Sequence, residues 1–214
     1  MGMGQKQGEN PWKNISLSDY ENHMALESVQ QLQALNEIMK NQFYTYDIDS
    51  VMILGVAGGN GLEHIDCKKI EKVYGVDINQ NYLQECKTRY AQLGETLETI
   101  CMDLMQDDIQ LPYVELVVAN LLIEYIGYEC FQKVIRAIRP KLVSCVIQIN
   151  DDDTFVSDSP YLHVFDGLDE IHHQMNRYNL INTMERTGLH KLLEAEQELP
   201  NGKKLLRMDF GILI

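Results

Sequence analysis

The spacing of apolar residues along the chain changes several times, and the changes predict its elements. Between residues 19 and 43, Ala25, Val29, Leu32, Leu35, Ile38 and Met39 recur three and four apart, which predicts one or two amphipathic helices. Ser18, followed three residues later by Glu21, reads as a capping box at their start. Short continuous apolar runs follow. Val51-Met52-Ile53-Leu54 predicts a buried strand, ended by Gly55-Val56-Ala57-Gly58-Gly59-Asn60-Gly61, with a helix starting at Leu62. Val73 to Val76 predicts a second strand closed by Asp77. Asn79 then caps a helix with Tyr82, Leu83, Cys86 and Tyr90 on its inner face. Leu97 to Met102 and Val114 to Ala119 predict the third and fourth strands. Phe131, Val134, Ile135 and Ile138 mark a helix stopped by Pro140, and Leu142 to Ile149 predicts a fifth strand.

Strands apolar on both faces, alternating with helices, predict a parallel sheet covered on both sides. Right-handed crossovers make it a doubly wound, Rossmann-like α/β sheet. The C-terminal part breaks the alternation. After a helix spanning Leu168 to Thr187, the runs His190 to Glu198 and Lys204 to Ile214 flank Leu199-Pro200-Asn201-Gly202, and Asn-Gly is a strong hairpin signal. The expectation is a seven-stranded mixed sheet ending in an antiparallel β-hairpin, in one domain over residues 1–214. Met1 to Lys13 reads as a loose tail.

Composition narrows the partners. The chain has 214 residues, 45% hydrophobic and 23% charged, enough to bury a core without disulfide staples. Lys and Arg number 18 against 32 Asp and Glu, a formal charge of −14. Nucleic-acid binders carry a basic footprint and anionic membranes attract basic surfaces, so neither partner is expected. No apolar run approaches the roughly 18 to 20 residues that span a bilayer, and Met1 to Asn10 lacks the apolar centre of a signal peptide. A cytoplasmic location is the expectation. Cys67, Cys86, Cys101, Cys130 and Cys145 form no CxxC pair and read as reduced thiols. His172 and His173 are adjacent and face different ways on a helix, and Asp151-Asp152-Asp153 lacks the other ligands of a calcium loop. No metal site is expected.

The candidate chemistry starts at the glycine loop. A strand, glycines and a helix start let backbone approach a ligand closely and present N–H groups to a carboxylate or phosphate. A tight strand-to-helix turn uses the same residues. Asp77 sharpens the reading, because a carboxylate closing the second strand can accept bonds from both hydroxyls of a ribose. It can also serve the next helix as an N-cap beside Asn79. No Gly-Lys-Ser/Thr follows the glycines, which excludes a P-loop. Ile78-Asn79-Gln80 offers no Arg for a 2′-phosphate, and no Tyr-x-x-x-Lys pair occurs. S-adenosylmethionine fits what remains: a ribose for the acid, a carboxylate for backbone donors, and no pyrophosphate.

In element order and motifs the chain resembles the class I S-adenosylmethionine-dependent methyltransferases over roughly residues 45–214. Residues 15–44 are similar to the family's variable lid helices. The resemblance divides the domain into a tail with lid helices (1–45) and a cofactor-binding core (46–214). The family loop usually reads acidic-x-Gly-x-Gly-x-Gly. Aligned on Gly59 and Gly61, this chain has Gly55 at the acidic position and Ala57 at the first glycine. The resemblance implies that residues 55–61 face the cofactor, that Asp77 with Ile78 holds the ribose, and that Met102, Asp103 and Leu104 flank the adenine. It also implies that Asn120 passes the methionine end. A solvated loop acid remains the other reading of Asp103, and a turn residue that of Asn120.

Methyl transfer is an in-line displacement in which the protein mainly aligns the acceptor. Position nominates Glu124 or His23 as a base, with Tyr20, Tyr125 and Gln148 beside the acceptor, and Asn150 at the end of the fifth strand. Glu124 is equally read as a helix-start carboxylate favoured by the dipole, and His23 as a half-buried histidine. Thr154 to Asp166, with Tyr161, His163 and Phe165, forms a candidate substrate wall. The function expected is methyl transfer to a small molecule. The rivals are a nicotinamide-dependent oxidoreductase and a non-catalytic binding protein of the same fold.

Overall fold

The computed structural model describes residues 10–149 and 160–213. Its strands are β1 (Ser50–Leu54), β2 (Lys72–Asp77), β3 (Leu97–Cys101), β4 (Leu116–Asn120), β5 (Leu142–Ile149), β6 (His190–Glu198) and β7 (Lys204–Gly211). They form one seven-stranded sheet in the order β3-β2-β1-β4-β5-β7-β6. The first five run parallel, while β7 is antiparallel to both β5 and β6. This is the doubly wound sheet with a reversed hairpin that the patterning predicts. In register, Leu54 pairs with Val76 and with Ala119, and Asp77 pairs with Cys101. The carboxyl ends of β1 to β4 therefore stop level, and their loops open on one edge.

The helices are α1 (Leu17–Ala25), α2 (Gln31–Tyr44), α3 (Gln80–Arg89), α4 (Ile123–Ile138) and α5 (Arg177–Glu185). Alternation along β1 divides the core. Met52 and Leu54 pack in one cluster with Phe131, Val134 and Ile135 of α4 and with Leu180 and Met184 of α5. Val51 and Ile53 pack in the other with Met39 and Phe43 of α2 and Leu83 and Cys86 of α3. The edge strand β6 is largely exposed and carries charge, with Arg177 bonded to its Glu194 and Glu196 at 2.9 and 2.8 Å. No helix among the described residues is long and apolar enough to cross a membrane.

Four local expectations are corrected. The helix at Leu62 is a single 3-10 turn, Leu62–His64. Asp66 turns the chain at once, accepting from Lys68, Lys69 and Ile70, and Met39 and Phe43 of α2 already pack on that face of β1. The long helix over Leu168 to Thr187 is replaced by a 3-10 stretch, Leu162–Leu168, and by α5, which starts only at the Asn176 cap. The intervening chain bonds to α4 instead, with His173 N–H donating to the Glu124 carbonyl at 2.7 Å. The capping box does not form: Ser16 is the N-cap of α1, and Glu21 reaches to Arg89. Finally, Pro11–Lys13 is an ordered turn, because the Asn79 side chain donates to the Trp12 carbonyl at 2.9 Å. Residues 1–9, Asn150, Asp151-Asp152-Asp153, the stretch 154–159 and Ile214 lie outside the described residues.

Candidate active site

The level strand ends border an open cavity of about 710 Å³, the solvent at its mouth included. One side is the loop after β1. The amides of Gly55 and Val56 both donate to the Val76 carbonyl, and the Ala57 amide donates to Asp77 Oδ2 at 2.9 Å. Asp77 Oδ1 accepts from the Asn79 amide, also at 2.9 Å. The bend after β1 and the acid closing β2 are therefore in direct contact. Ala57 sits at φ +47°, a left-handed conformation that costs an L residue roughly 1–2 kcal/mol. Its charge-assisted bond to Asp77 offsets that strain. Burial pushes the Asp77 carboxyl above the ordinary carboxylate range, and three backbone N–H bonds pull it back only in part. Each Asp77 oxygen retains acceptor capacity for a further donor.

Ile78, Met102, Asp103, Leu104, Asn120 and Leu122 complete much of this cavity. Asp103 accepts from the Met105 amide in its own turn. Tyr82 of α3 also lines the cavity, and its buried hydroxyl has no hydrogen-bond partner among the described residues. Asn120 is held face to face by Gln42 of α2, through two amide bonds of 2.9 Å. Behind it Gln42 donates to Ser144, Ser144 donates to Asp209 at 2.5 Å, and Asp209 is paired with Arg207. This buried relay fixes one carboxamide on the cavity wall.

Helix α1 lies directly on the glycine loop. A Cβ at Gly58 would come within 2.5 Å of Glu21 Oε1, and Glu21 holds Arg89 of α3 through bonds of 2.5 and 2.9 Å. Gly59 and Gly61 have a different task. Cβ atoms there would strike Tyr90 at 2.6 Å and Met39 at 2.8 Å, so these glycines admit α3 and α2 to the back of the loop. Neither lines a cavity described here, whereas Val56, Gly58 and Asn60 line a smaller pocket beneath α1 together with Tyr20, Leu35 and Met39.

A second cavity, of about 560 Å³, adjoins the first at the ends of β4 and β5. Trp12, Tyr20, Leu121 and Tyr125 line both cavities and form the partition. The Trp12 ring meets Tyr20 and Tyr125 edge to face, at 5.6 and 5.0 Å. Beyond them lie Glu124, Gln148, Gln31, His23, Phe165 and His172. Glu124 is 4% exposed. Its Oε1 accepts from the Gln148 amide at 2.8 Å, while its buried Oε2 has no partner among the described residues. Burial pushes its carboxyl up to about 7. The first turn of α4 gives it little dipole support, because Gly127 (φ +73°, ψ 165°) breaks that helix one turn later. Burial also lowers the His23 and His172 imidazoles, with Lys203 adding to both and His173 to His172. The Tyr20 and Tyr125 phenols are pushed up, chiefly by burial.

The sequence-nominated residues thus divide between two chambers. Gly55, Ala57, Asp77, Ile78, Met102, Asp103, Leu104 and Asn120 meet at the first, Glu124, His23 and Gln148 at the second, and Tyr20 and Tyr125 between them. Of the candidate substrate wall, Phe165 lines the second cavity, whereas His163 is exposed beside Asp166. Sequence reasoning missed Trp12, set aside as tail, and Tyr82, taken only as the inner face of a helix. His172 and His173 do face apart: His172 lines the second cavity, and His173 lies against Gly127.

A family model described as a methyltransferase domain matches residues 51–142. Among solved structures, the chain is similar to an S-adenosylmethionine-dependent methyltransferase of Leishmania major, at 12% identity and a TM-score of 0.69, covering 94% of this chain and 80% of that one. It is similar to magnesium protoporphyrin IX methyltransferase of Synechocystis PCC 6803, solved with S-adenosylhomocysteine (9%, TM-score 0.64, 94% and 96%). A Methanosarcina mazei S-adenosylmethionine-dependent methyltransferase aligns at 13% identity with a TM-score of 0.59, covering 80% and 96%. No curated protein matches the sequence. The sheet order and reversed hairpin define the Rossmann-like methyltransferase fold. Residues 51–142 match the methyltransferase domain model, and the fold is that of the S-adenosylmethionine-dependent methyltransferases it resembles.

Proposed function

We propose that the protein binds S-adenosylmethionine in the first cavity and transfers its methyl group, by in-line displacement, to a small acceptor in the second. The contact between Asp77 and Ala57 on the wall of an open cavity carries this reading. Asp77 keeps capacity for two ribose hydroxyls, and the apolar surfaces of Ile78, Met102 and Leu104 suit an adenine ring. The unmet Tyr82 hydroxyl marks a place where a polar ligand atom belongs. The residues fit the cofactor on these grounds, with Gly55 and Ala57 in place of the usual motif residues. When bound, S-adenosylmethionine supplies a methyl group already activated on a sulfonium sulfur.

The chain then has three tasks. Asp77, the 55–58 bend and Asn120 hold the nucleoside and amino-acid ends. Tyr20, Trp12, Tyr125 and Leu121 shape the passage between the chambers and exclude water from it. Glu124 accepts a proton when the acceptor atom carries one. The acidic charge and the ring-lined second chamber favour a small molecule over nucleic acid or a membrane surface, and a cytoplasmic setting agrees with both.

Calorimetric titration with S-adenosylmethionine and S-adenosylhomocysteine tests the assignment. Saturable binding of both, with a thermal shift that NADH does not produce, is the expected outcome. No binding at millimolar cofactor overturns it. Binding without transfer to any of a broad acceptor panel favours the non-catalytic reading.

A further inference from the structure

The chemistry of the second cavity narrows its occupant. Its walls are the rings of Trp12, Tyr20, Tyr125 and Phe165. Among the described residues, Glu124 is the one lining side chain that carries charge near neutral pH, and no Lys or Arg lines the space. Lys203 acts on His23 and His172 from outside the lining and helps keep both imidazoles neutral. Glu124 is also oriented. The Gln148 backbone N–H donates to Oε1 at 2.8 Å, which leaves Oε2 as the buried oxygen without a partner among the described residues.

Each class of occupant meets this differently. An anionic acceptor finds the like charge of Glu124 and no Lys or Arg in the lining, Lys203 standing outside it, which is unfavourable at low dielectric. A neutral hydroxyl satisfies one oxygen but brings no counter-charge to an ionised carboxylate whose lining neighbours include no Lys or Arg. A protonated amine supplies both the missing donor and the missing charge, and aromatic faces add cation–π attraction. Resting on the methyl-transfer reading above, we infer that the acceptor is a small primary or secondary amine with an apolar body, held through its nitrogen by Glu124 Oε2 within the ring-lined chamber.

The step balances. Glu124 carboxylate takes one proton from the bound ammonium, giving a neutral acid and a nitrogen lone pair. Desolvation favours this exchange, since it raises a carboxyl and lowers an ammonium. The lone pair forms the N–C bond as the methyl C–S bond breaks, its electron pair staying on sulfur. The product leaves as the N-methylated ammonium, and Glu124 releases its proton to water.

Phenethylamine, phenethyl alcohol and phenylacetate share one apolar body and differ in head-group charge. Titrated by calorimetry at about pH 8 into protein saturated with S-adenosylhomocysteine, the amine is expected to bind at least about tenfold more tightly than the alcohol, and phenylacetate least. Glu124→Gln keeps the shape and is expected to abolish that preference while retaining S-adenosylhomocysteine binding and a cooperative melt. Equal binding of the three, no binding of any, a preference for phenylacetate, or an unchanged preference in Glu124→Gln overturns the inference. Failure of wild type to bind S-adenosylhomocysteine overturns the cofactor reading itself, and the inference falls with it.

Discussion

The two chambers sit side by side on one sheet edge and are built by different means. The first is backbone and short side chains at strand ends: the bend after β1, Asp77 and Ile78 after β2, Met102 to Leu104 after β3 and Asn120 after β4. Sheet register sets their relative positions, so a few hydrogen bonds align the whole wall. The second is made of long side chains from α1, α2, α4, β5, the Pro11–Lys13 turn and the stretch around Phe165 and His172. Nothing periodic aligns those pieces; ring packing does. Among the described residues each chamber also carries one unmet buried oxygen, the hydroxyl of Tyr82 and Oε2 of Glu124. The difference between them is chemical. A phenol is a neutral donor suited to a fixed ligand, whereas a carboxyl held near neutrality can move a proton.

Removing Asp77 should break the first chamber most completely. Asp77→Ala releases the Ala57 and Asn79 amides and, on the proposed cofactor reading, loses the ribose contacts. With charged hydrogen bonds worth about 1.5–3 kcal/mol each, S-adenosylhomocysteine affinity should fall on the order of a hundredfold or more by calorimetry. A fall of less than about threefold would detach the acid from the ligand.

Glu124→Gln sharpens the contrast through pH. The folded Glu124 carboxyl is raised from 4.5 to about 7. Between those values the unfolded chain has released this proton and the native chain retains it. The residue therefore stabilises nothing extra below that window, and its ionisation destabilises the native state progressively as pH rises through it. At about 1.4 kcal/mol per pH unit, the penalty reaches on the order of 3 kcal/mol above neutrality. Glu124→Gln should therefore raise the melting temperature at about pH 8 and leave it nearly unchanged at about pH 4. An equal shift at both values would mean that the carboxyl is not held above its ordinary range.

Tyr82→Phe should have the smallest effect. It removes one neutral donor, so S-adenosylhomocysteine binding should weaken by about fivefold, near 1 kcal/mol, while thermal stability holds or rises slightly. Loss of stability without loss of affinity would assign the hydroxyl to the fold instead.

Much of the first chamber was legible in the chain because it follows from local rules. A four-residue apolar run, small residues, and an acid closing the next apolar run are enough to place Asp77 beside the bend, since parallel neighbours share a register. The same rules overreached at Leu62, where the glycine spacing suggested a helix. There the covering layer comes from α2, whose Met39 and Phe43 lie far back in sequence. Glu21 misled for a related reason: a local capping signal yielded to Arg89, a partner on α3.

The sequence by itself determined the alternation of strands and helices, the C-terminal hairpin, the acid and the bend, because periodicity and turn chemistry act over a few residues. Only the tertiary structure decided that Trp12 separates two chambers, that Gly59 and Gly61 serve helix packing, and that Glu124 is buried with one oxygen unmet. Those facts depend on which distant side chains exclude water from a site. Burial is a property of the assembled layers, and no short stretch of chain carries it.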